Sequence, residues 1–528
     1  MAVETGVWAG IAVTGVAAAH VVVVRASREF TSERGSWMLR RGWWGQLVDL
    51  TDGQWAAFRA SIPLLAAGLS VIVLITSLTR RLAPSAASFV STALGLAFLW
   101  VAHGGYSVAH LCIALALYAW TTGCSGTRFF VPVTWAAACA VLAAVRLYHG
   151  FAWRDVHPAL SALDAAGAGS MRWDVCFNFT MLRLISFAID RHRAVVTKNG
   201  SAAARDVASS VGEPLPLVQY GLLPFLEYVY YAPLYITGPV MTFDAFTAAR
   251  RAARRGGTTT SMPTVRTTAV YGVRVALLLV LVELFTSHLY TNLLAQRSGG
   301  WWVYQRPAVV GSLGFTSLVY LWLKFTAIWR FFRFFALADG VPAPENQRRC
   351  ICDNFTVQGF WRNWHYSFYT WLLRYVYTPL GGSRWRAANS FVIFAFVAFW
   401  HDLDWELLSR LLTWAGLMAA FLLPEQVLLR AMGLAPSKGA SGDVVVAGTL
   451  RRSIVSVVGT VLICGLITGC LAGFVIGGSG VVPFLTSLFS SEGWAFLGCS
   501  AVTLFAGVQL MLSIRQWEDD NGRRLCPA

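Results

Sequence analysis

Charge is what this 528-residue chain has least of: Asp, Glu, Lys and Arg make up 13% of it, against about 25% in an ordinary soluble domain. With 56% hydrophobic residues and a mean hydropathy of +0.56, a soluble globular enzyme is excluded and an all-α polytopic membrane protein is expected. No internal repeat, G-x-x-x-x-G-K-[ST] loop, G-x-G-x-x-G element or H-E-x-x-H pair occurs, so nothing points to a solenoid, a nucleotide cradle or a zinc hydrolase. Ten cysteines are scattered, and the one close pair, Cys350 and Cys352, has no second C-x-x-C or nearby histidine. That is poor zinc spacing, and no metal or other cofactor is expected. Most other cysteines lie in apolar segments, where burial as small hydrophobes is expected. The formal charge is +16, but the basic residues sit at the ends and loops of apolar segments. Positive-inside bias and anionic headgroups account for that placement, and no nucleic-acid partner is expected.

Along the chain, residues 5–24 form an apolar run preceded by Glu4 and no basic residue, which reads as a first transmembrane helix rather than a cleaved signal. Arg25 to Arg41 carries an excess of basic charge and is expected to be cytosolic or interfacial. Trp43 to Arg59 reads as a helix lying in the interface, anchored by Trp43, Trp44, Trp55 and Phe58. Apolar spans follow at 62–78, 89–101, 107–120 and 129–147, and a helix over 172–193 holds Arg183 in its middle, where an arginine must pair or snorkel. Leu217 to Val240 is a span broken by Pro224, Pro233, Gly238 and Pro239. Arg250 to Arg266 holds five arginines and no acidic residue, the strongest marker of a cytosolic loop. Spans at 271–289, 309–328, 407–423, 454–476 and 482–512, the last as one tilted span or two pieces, bring the expected total to about eleven. Residues 1–60 are taken as an N-terminal helix with its interfacial segment, 61–430 as the catalytic core and 431–528 as C-terminal helices with a polar tail.

Only nine histidines occur, and two directly follow a tryptophan: His365 in Trp361-Arg362-Asn363-Trp364-His365, and His401 in Trp400-His401-Asp402. Between Arg386 and His401 lie 14 nearly all apolar residues, covering roughly 21 Å of helix where a bilayer core needs about 30 Å. His401 therefore stands either inside the membrane thickness, facing protein or a water-filled cavity, or at an interfacial helix end beside Asp402, Asp404 and Glu406. On a continuous helix, Arg362, His365 and Tyr369 share one face, with Trp361, Trp364, Phe368 and Trp371 as an aromatic wall alongside. An aromatic interface belt explains the tryptophans equally well, but not His365.

The pattern W-x-x-W-H over 361–365, R-Y-x-Y-x-P-L-G-G over 374–382 and apolar-W-H-D ending at Asp402 resembles the membrane-bound O-acyltransferases, and within them the glycerol-uptake-protein branch related to Hedgehog acyltransferase. The resemblance extends to D-L-T-D-x-Q-W-x-x-F-R-x-x-I-P over 49–63, to Arg172 through Asp190 and to Tyr231 through Pro239. It implies a bundle of helices around a central tunnel, with the catalytic histidine at His401 and its partner at His365. It also implies re-acylation of the sn-2 hydroxyl of a lyso-GPI lipid by acyl-CoA in the endoplasmic reticulum, the Golgi being open as well. A Hedgehog-type protein acyltransferase and a polyol/proton symporter are the alternatives.

The chemistry fits these residue types. An alcohol is a poor nucleophile until a base takes its proton, and a placed histidine contributes about 10²- to 10⁴-fold. His401 is assigned as that base, His365 as the group that hydrogen-bonds the donor carbonyl or orients the acceptor, and Arg362 or Asn363 as oxyanion stabiliser. Trp361, Trp364, Tyr369, Arg374, Tyr377, Trp400 and Asp402 complete the expected substrate-binding set. Long-chain acyl-CoA as co-substrate, a lysolipid or lyso-GPI acceptor and membrane lipids are the expected partners.

Overall fold

The computed structural model describes residues 2–522 except 168, 200–212, 255–262, 298, 402–413, 432–445 and single positions between 415 and 447. Helix α1 (Ala2–Arg34) leads to a two-stranded hairpin, β1 (Arg40–Arg41) and β2 (Leu47–Val48), paired antiparallel with Arg40 opposite Val48. Then come α2 (Gly53–Leu82), α3 (Ala87–His103), α4 (Tyr106–Cys124), α5 (Phe130–Leu147) and α6 (Trp173–Lys198). A broken stretch holds α7 (Leu222–Val229) and leads to α8 (Phe243–Arg254); two long helices follow, α9 (Val265–His288) and α10 (Pro307–Ala338). The short helices α11 (Val357–Asn363) and α12 (Tyr366–Leu372) precede α13 (Arg386–His401). At the C-terminal side lie α14 (Thr449–Phe474), α15 (Gly477–Leu488) and α16 (Gly493–Asn521). Eight helices among the described residues are long and apolar enough to cross a bilayer. The shortfall from eleven has physical causes. Helix α3 is 17 residues long, the 217–240 span is interrupted, and 407–423 lies largely outside the described residues.

Three expectations are corrected. Trp43 to Arg59 is not an interfacial helix: Gly45 turns the hairpin at φ 81°, and α2 starts only where the Asp52 side chain accepts the Gln54 and Trp55 amides. Trp43 and Trp44 remain exposed, whereas Trp55 is fully buried and Phe58 is also in the core. The boundary drawn at residue 60 falls inside α2. Of the described cysteines, Cys176 and Cys470 are buried while Cys112, Cys464 and Cys499 are exposed on helix faces, because an apolar segment of a membrane protein turns much of its surface to lipid.

Arg183 is buried and pairs rather than snorkels. Its guanidinium donates to the Val229 carbonyl at 2.8 Å and to the Leu234 carbonyl. Arg59 holds Glu283 through two bonds of 2.7 and 2.6 Å. Arg250 bridges Glu227 and Asp339. These pairs also reveal sidedness. The Arg250 cluster lies at the start of α9, whereas Tyr290 bonds Ser27 on α1 and Glu283 accepts the Trp43 amide at its end. The 24 residues of α9 span about 36 Å. The described residues of Arg25 to Arg41 and the Arg250 cluster therefore lie toward opposite ends of α9.

The apolar core has two parts, one gathered on α10 with α1, α2, α9 and α14, the other on α6 with α3, α7 and α12. Phe360 and Ala398 belong to the first and Phe368 and Trp400 to the second. The two histidine motifs lie along the seam.

Candidate active site

The first motif is two helices with a turn between them. Thr356 caps α11 by accepting the Gly359 amide at 3.0 Å, and Glu425 accepts the Val357 and Gln358 amides at 2.6 and 3.1 Å. Helix α11 ends at Asn363, and His365 takes φ 47° and ψ 50° before α12 begins. Among the described residues it is the one non-glycine with positive φ, a conformation that costs of order 1–3 kcal/mol and persists where the surroundings over-determine it. Asn346 does so here: its carbonyl accepts the Tyr366 amide at 2.9 Å and its side-chain oxygen accepts the Ser367 amide at 3.2 Å. The shared helix face expected for Arg362, His365 and Tyr369 is thus corrected. Arg362 is half-buried on α11, while Tyr369 keeps its register by donating its amide to the His365 carbonyl at 3.0 Å.

The His365 ring stacks on Trp329 of α10, with centroids 4.4 Å apart, and meets Phe368 at 5.2 Å and Phe179 at 6.4 Å. Trp400 touches the same Phe368 and Phe179, at 4.7 and 5.2 Å, and His401 packs on Trp400 at 4.9 Å. Reciprocal bonds lock Trp400 to α6: its indole donates to the Asn178 carbonyl and the Asn178 amide donates to the Trp400 carbonyl, both at 2.8 Å. Two histidines far apart in sequence are thereby held on one aromatic bracket. His365 lies outside the eight membrane-spanning helices, and burial, followed by the nearby His401 charge, pushes its pKa down to about 3. It is a neutral imidazole at ordinary pH. Its Nε2 is buried with no hydrogen-bond partner among the described residues, whereas His401 is exposed.

The other expected residues sort by what holds them. Trp361 and Trp364 line an apolar cavity of about 470 Å³ between α1, α10, α14 and α16. Asn363 is corrected as an oxyanion donor, because both its amide protons are used, toward Asn354 Oδ1 at 3.2 Å and the Gly359 carbonyl at 2.8 Å. Arg374 bridges Asp190 and Asp244 at 2.8 and 2.9 Å, so it fastens the end of the motif to α6 and α8. Tyr377 is half-buried beside Gly382, roughly 15 Å or more along the chain axis from His365. Trp400 is a buried support for His401. Asp402 lies outside the described residues.

The sequence patterns do not single out Trp329, Phe179, Asn346, Glu425 or Asn178. Trp329 ends a long apolar span and looks there like an interface aromatic. Asn346 and Glu425 act through backbone amides, which leave no residue-type signature.

Residues 84–467 match the model of MBOAT, the membrane-bound O-acyltransferase family. The Membrane-bound O-acyltransferase gup1 of Schizosaccharomyces pombe is 31% identical over 519 residues, covering 92% of this chain and 84% of that protein. GUP1 of Saccharomyces cerevisiae, likewise a Membrane-bound O-acyltransferase, is 29% identical over 507 residues, covering 92% and 86%. A shorter likeness, 25% over 188 residues and 33% of this chain, reaches the mouse Protein-cysteine N-palmitoyltransferase HHAT, of which it covers 35%. The family match takes in both histidine motifs and the helices that bracket them, and on that ground the chain belongs to the membrane-bound O-acyltransferase family and is an acyltransferase.

Proposed function

We propose that this enzyme moves a long-chain acyl group from acyl-CoA to a lysolipid hydroxyl, the sn-2 hydroxyl of a lyso-GPI lipid in the endoplasmic reticulum membrane. The observation that carries the reading is the pairing of an exposed His401 with a His365 whose Nε2 is buried and unpartnered among the described residues. His401 takes the hydroxyl proton as the oxygen attacks the thioester carbon. A C–O bond forms, and the carbonyl oxygen gains negative charge opposite the His365 N–H. The C–S bond then breaks, and the leaving thiolate takes the proton back from His401 as CoA–SH. No serine or cysteine adjoins either histidine, and Ser367, the nearest, spends its oxygen accepting the Val240 amide at 2.8 Å. Direct transfer without an acyl-enzyme follows, with acyl-CoA as co-substrate and no dissociable cofactor.

Two findings support a lipid acceptor. The tryptophan-lined cavity is apolar, and each buried CH₂ of a chain is worth about 0.8 kcal/mol. The O-acyltransferase gup1 is 31% identical over 92% of the chain, whereas the N-palmitoyltransferases are 25–26% identical over 33–66% of it, which favours a hydroxyl acceptor over a protein amine. The absence of sequence repeats speaks against a symporter built from paired halves.

The test is transfer of radiolabelled acyl-CoA to lyso-GPI or lysophosphatidylinositol in detergent-solubilised membranes. Wild type forms labelled diacyl product, and His401→Ala at equal expression loses about 10²-fold or more. Equal rates in the variant, or no product from wild type with any lysolipid, refute the assignment.

A further inference from the structure

A second cavity, polar and about 240 Å³, lies beside the apolar one. Ser317, Tyr320 and Lys324 on successive turns of α10 form its floor, and Gln54, Gln296 and Arg297 stand exposed at its rim. The Lys324 ammonium, only 5% exposed, donates to Asp52 Oδ2 at 2.7 Å, and the Tyr320 hydroxyl donates to the same oxygen at 3.2 Å. The other Asp52 oxygen caps α2. On the remaining wall Asn292 donates to the Thr51 hydroxyl at 2.8 Å. Against this set of satisfied groups, the Ser317 hydroxyl is buried, at 4% exposure of the residue, with no partner among the described residues. A buried polar group left unpaired costs about 1–3 kcal/mol, so the floor offers a bond that a ligand can complete. Arg297 makes no ion pair among the described residues and adds a cation at the mouth.

The polar and apolar cavities share Leu321 and Phe474 as walls. Trp364, next to His365, lines the apolar one. Lys324 lies five residues before Trp329, roughly 7.5 Å along α10, and Trp329 carries the His365 stack. The two cavities and the His365 stack are thus close enough along α10 for one single-chain amphiphile to reach all three.

Resting on the acyl-transfer reading above, we infer that the polar cavity is the acceptor's headgroup site, taking a phosphate-bearing, hydroxylated headgroup while the lipid's chain enters the apolar cavity. Arg297 supplies positive charge for the phosphate, Lys324, whose charge Asp52 offsets, offers its remaining N–H donors, and Gln54, Gln296 and Ser317 supply the neutral partners that hydroxyls need. The other source of phosphate in the reaction is the CoA moiety, and two observations count against it. At about 240 Å³ the cavity is below the roughly 300–1,000 Å³ of sites that hold a whole drug-sized ligand, too small for a nucleotide. It also opens beside the residues that follow α9, at the end opposite Arg250 to Arg266, the segment that arginine bias assigns to the cytosol, where CoA is found.

Retention of lysophosphatidylinositol, of monoacylglycerol with the same chain, and of long-chain acyl-CoA by the purified full-length protein in detergent tests the site by native mass spectrometry. Wild type is expected to hold lysophosphatidylinositol in preference to monoacylglycerol. Arg297→Gln, at an exposed position where folding is not at stake, and Ser317→Leu, which fills the floor, each lower that retention about tenfold, the loss of one charge-assisted or buried bond, and leave acyl-CoA retention unchanged. Unchanged lysophosphatidylinositol retention in Arg297→Gln, equal retention of the two lysolipids, or a parallel fall in acyl-CoA retention overturns the inference. Because retention needs no turnover, the two readings fail separately. Headgroup-dependent retention without product in the transfer assay refutes the acyl-transfer chemistry alone, whereas normal transfer with unaffected variants refutes the headgroup site alone.

Discussion

At His365 the backbone is held in a left-handed conformation and the ring is held neutral, and both constraints are tied to stability. Asn tolerates this conformation better than most residues, so His365→Asn keeps the turn between α11 and α12 while removing the imidazole. The folded pKa of about 3 lies below the roughly 6.5 of an unfolded histidine. Between those values the unfolded chain holds a proton that the folded one does not. The stability from this burial is complete above pH 6.5 and is lost as pH falls, with a slope of up to about 1.4 kcal/mol per pH unit. Thermal unfolding in detergent at pH 7, 6 and 5 is expected to show a steeper acid loss for wild type than for His365→Asn. Parallel losses would mean that the folded imidazole is protonated in the ordinary range and faces water.

At the scale of elements, the broken stretch after α6 depends on a single side chain. Helix α7 ends where Pro233, lacking an N–H, cannot bond the Val229 carbonyl four residues back, and Arg183 fills that vacancy and reaches Leu234 as well. Arg183→Met leaves the buried Val229 carbonyl unpaired and the Leu234 carbonyl with the Gly238 amide alone, at 3.3 Å, a loss of about 1–3 kcal/mol. Arg183→Lys, able to reach one carbonyl, is expected to lie between. The folded fraction by size-exclusion chromatography checks this, and an Arg183→Met protein as stable as wild type would show that water replaces the guanidinium. The break itself was legible from Pro224, Pro233, Gly238 and Pro239, and so was the demand that a mid-helix arginine find a partner. The identity of the partner was not, because it is backbone, 46 and 51 residues away. The same limit explains the motif around His365. Tryptophan–histidine pairs mark a site by composition, but Trp364, His365 and Tyr366 include no glycine or proline to announce a turn, and the residue that imposes it, Asn346, acts from another loop. Trp43 to Arg59 misled for the opposite reason: its aromatics have helical spacing, while its turn at Gly45 and the Asp52 cap are local signals that outweigh it.

For the whole molecule, α9 is the ruler. At its start Arg80 and Arg250 share Asp339, and Arg250 and Arg254 share Glu227. At its end Arg59 holds Glu283, Glu283 accepts the Trp43 amide of the hairpin, and residues 51–54 and 291–297 gather around the polar cavity. Arginines occur at both ends, but the sequence from Arg250 to Arg266 is undiluted by acid, whereas Glu29 and Glu33 interrupt Arg25 to Arg41. Positive-inside bias predicts that the start of α9 faces the cytosol and its end the opposite side of the membrane. A glycosylation-acceptor loop inserted between Gly299 and Gly300, where two residues of positive φ mark a surface turn, is expected to be modified in microsomes, and one inserted after Arg254 is expected to stay bare. The result bears on the substrates as well as the topology. Modification at 299 places the Arg297 rim where a lumenal lysolipid arrives, with the acyl donor entering from the other face and the histidines on the seam between. Modification after Arg254 instead would turn the polar cavity to the cytosol and remove the sidedness argument for an acceptor headgroup there, leaving only the cavity's size of about 240 Å³ to count against CoA.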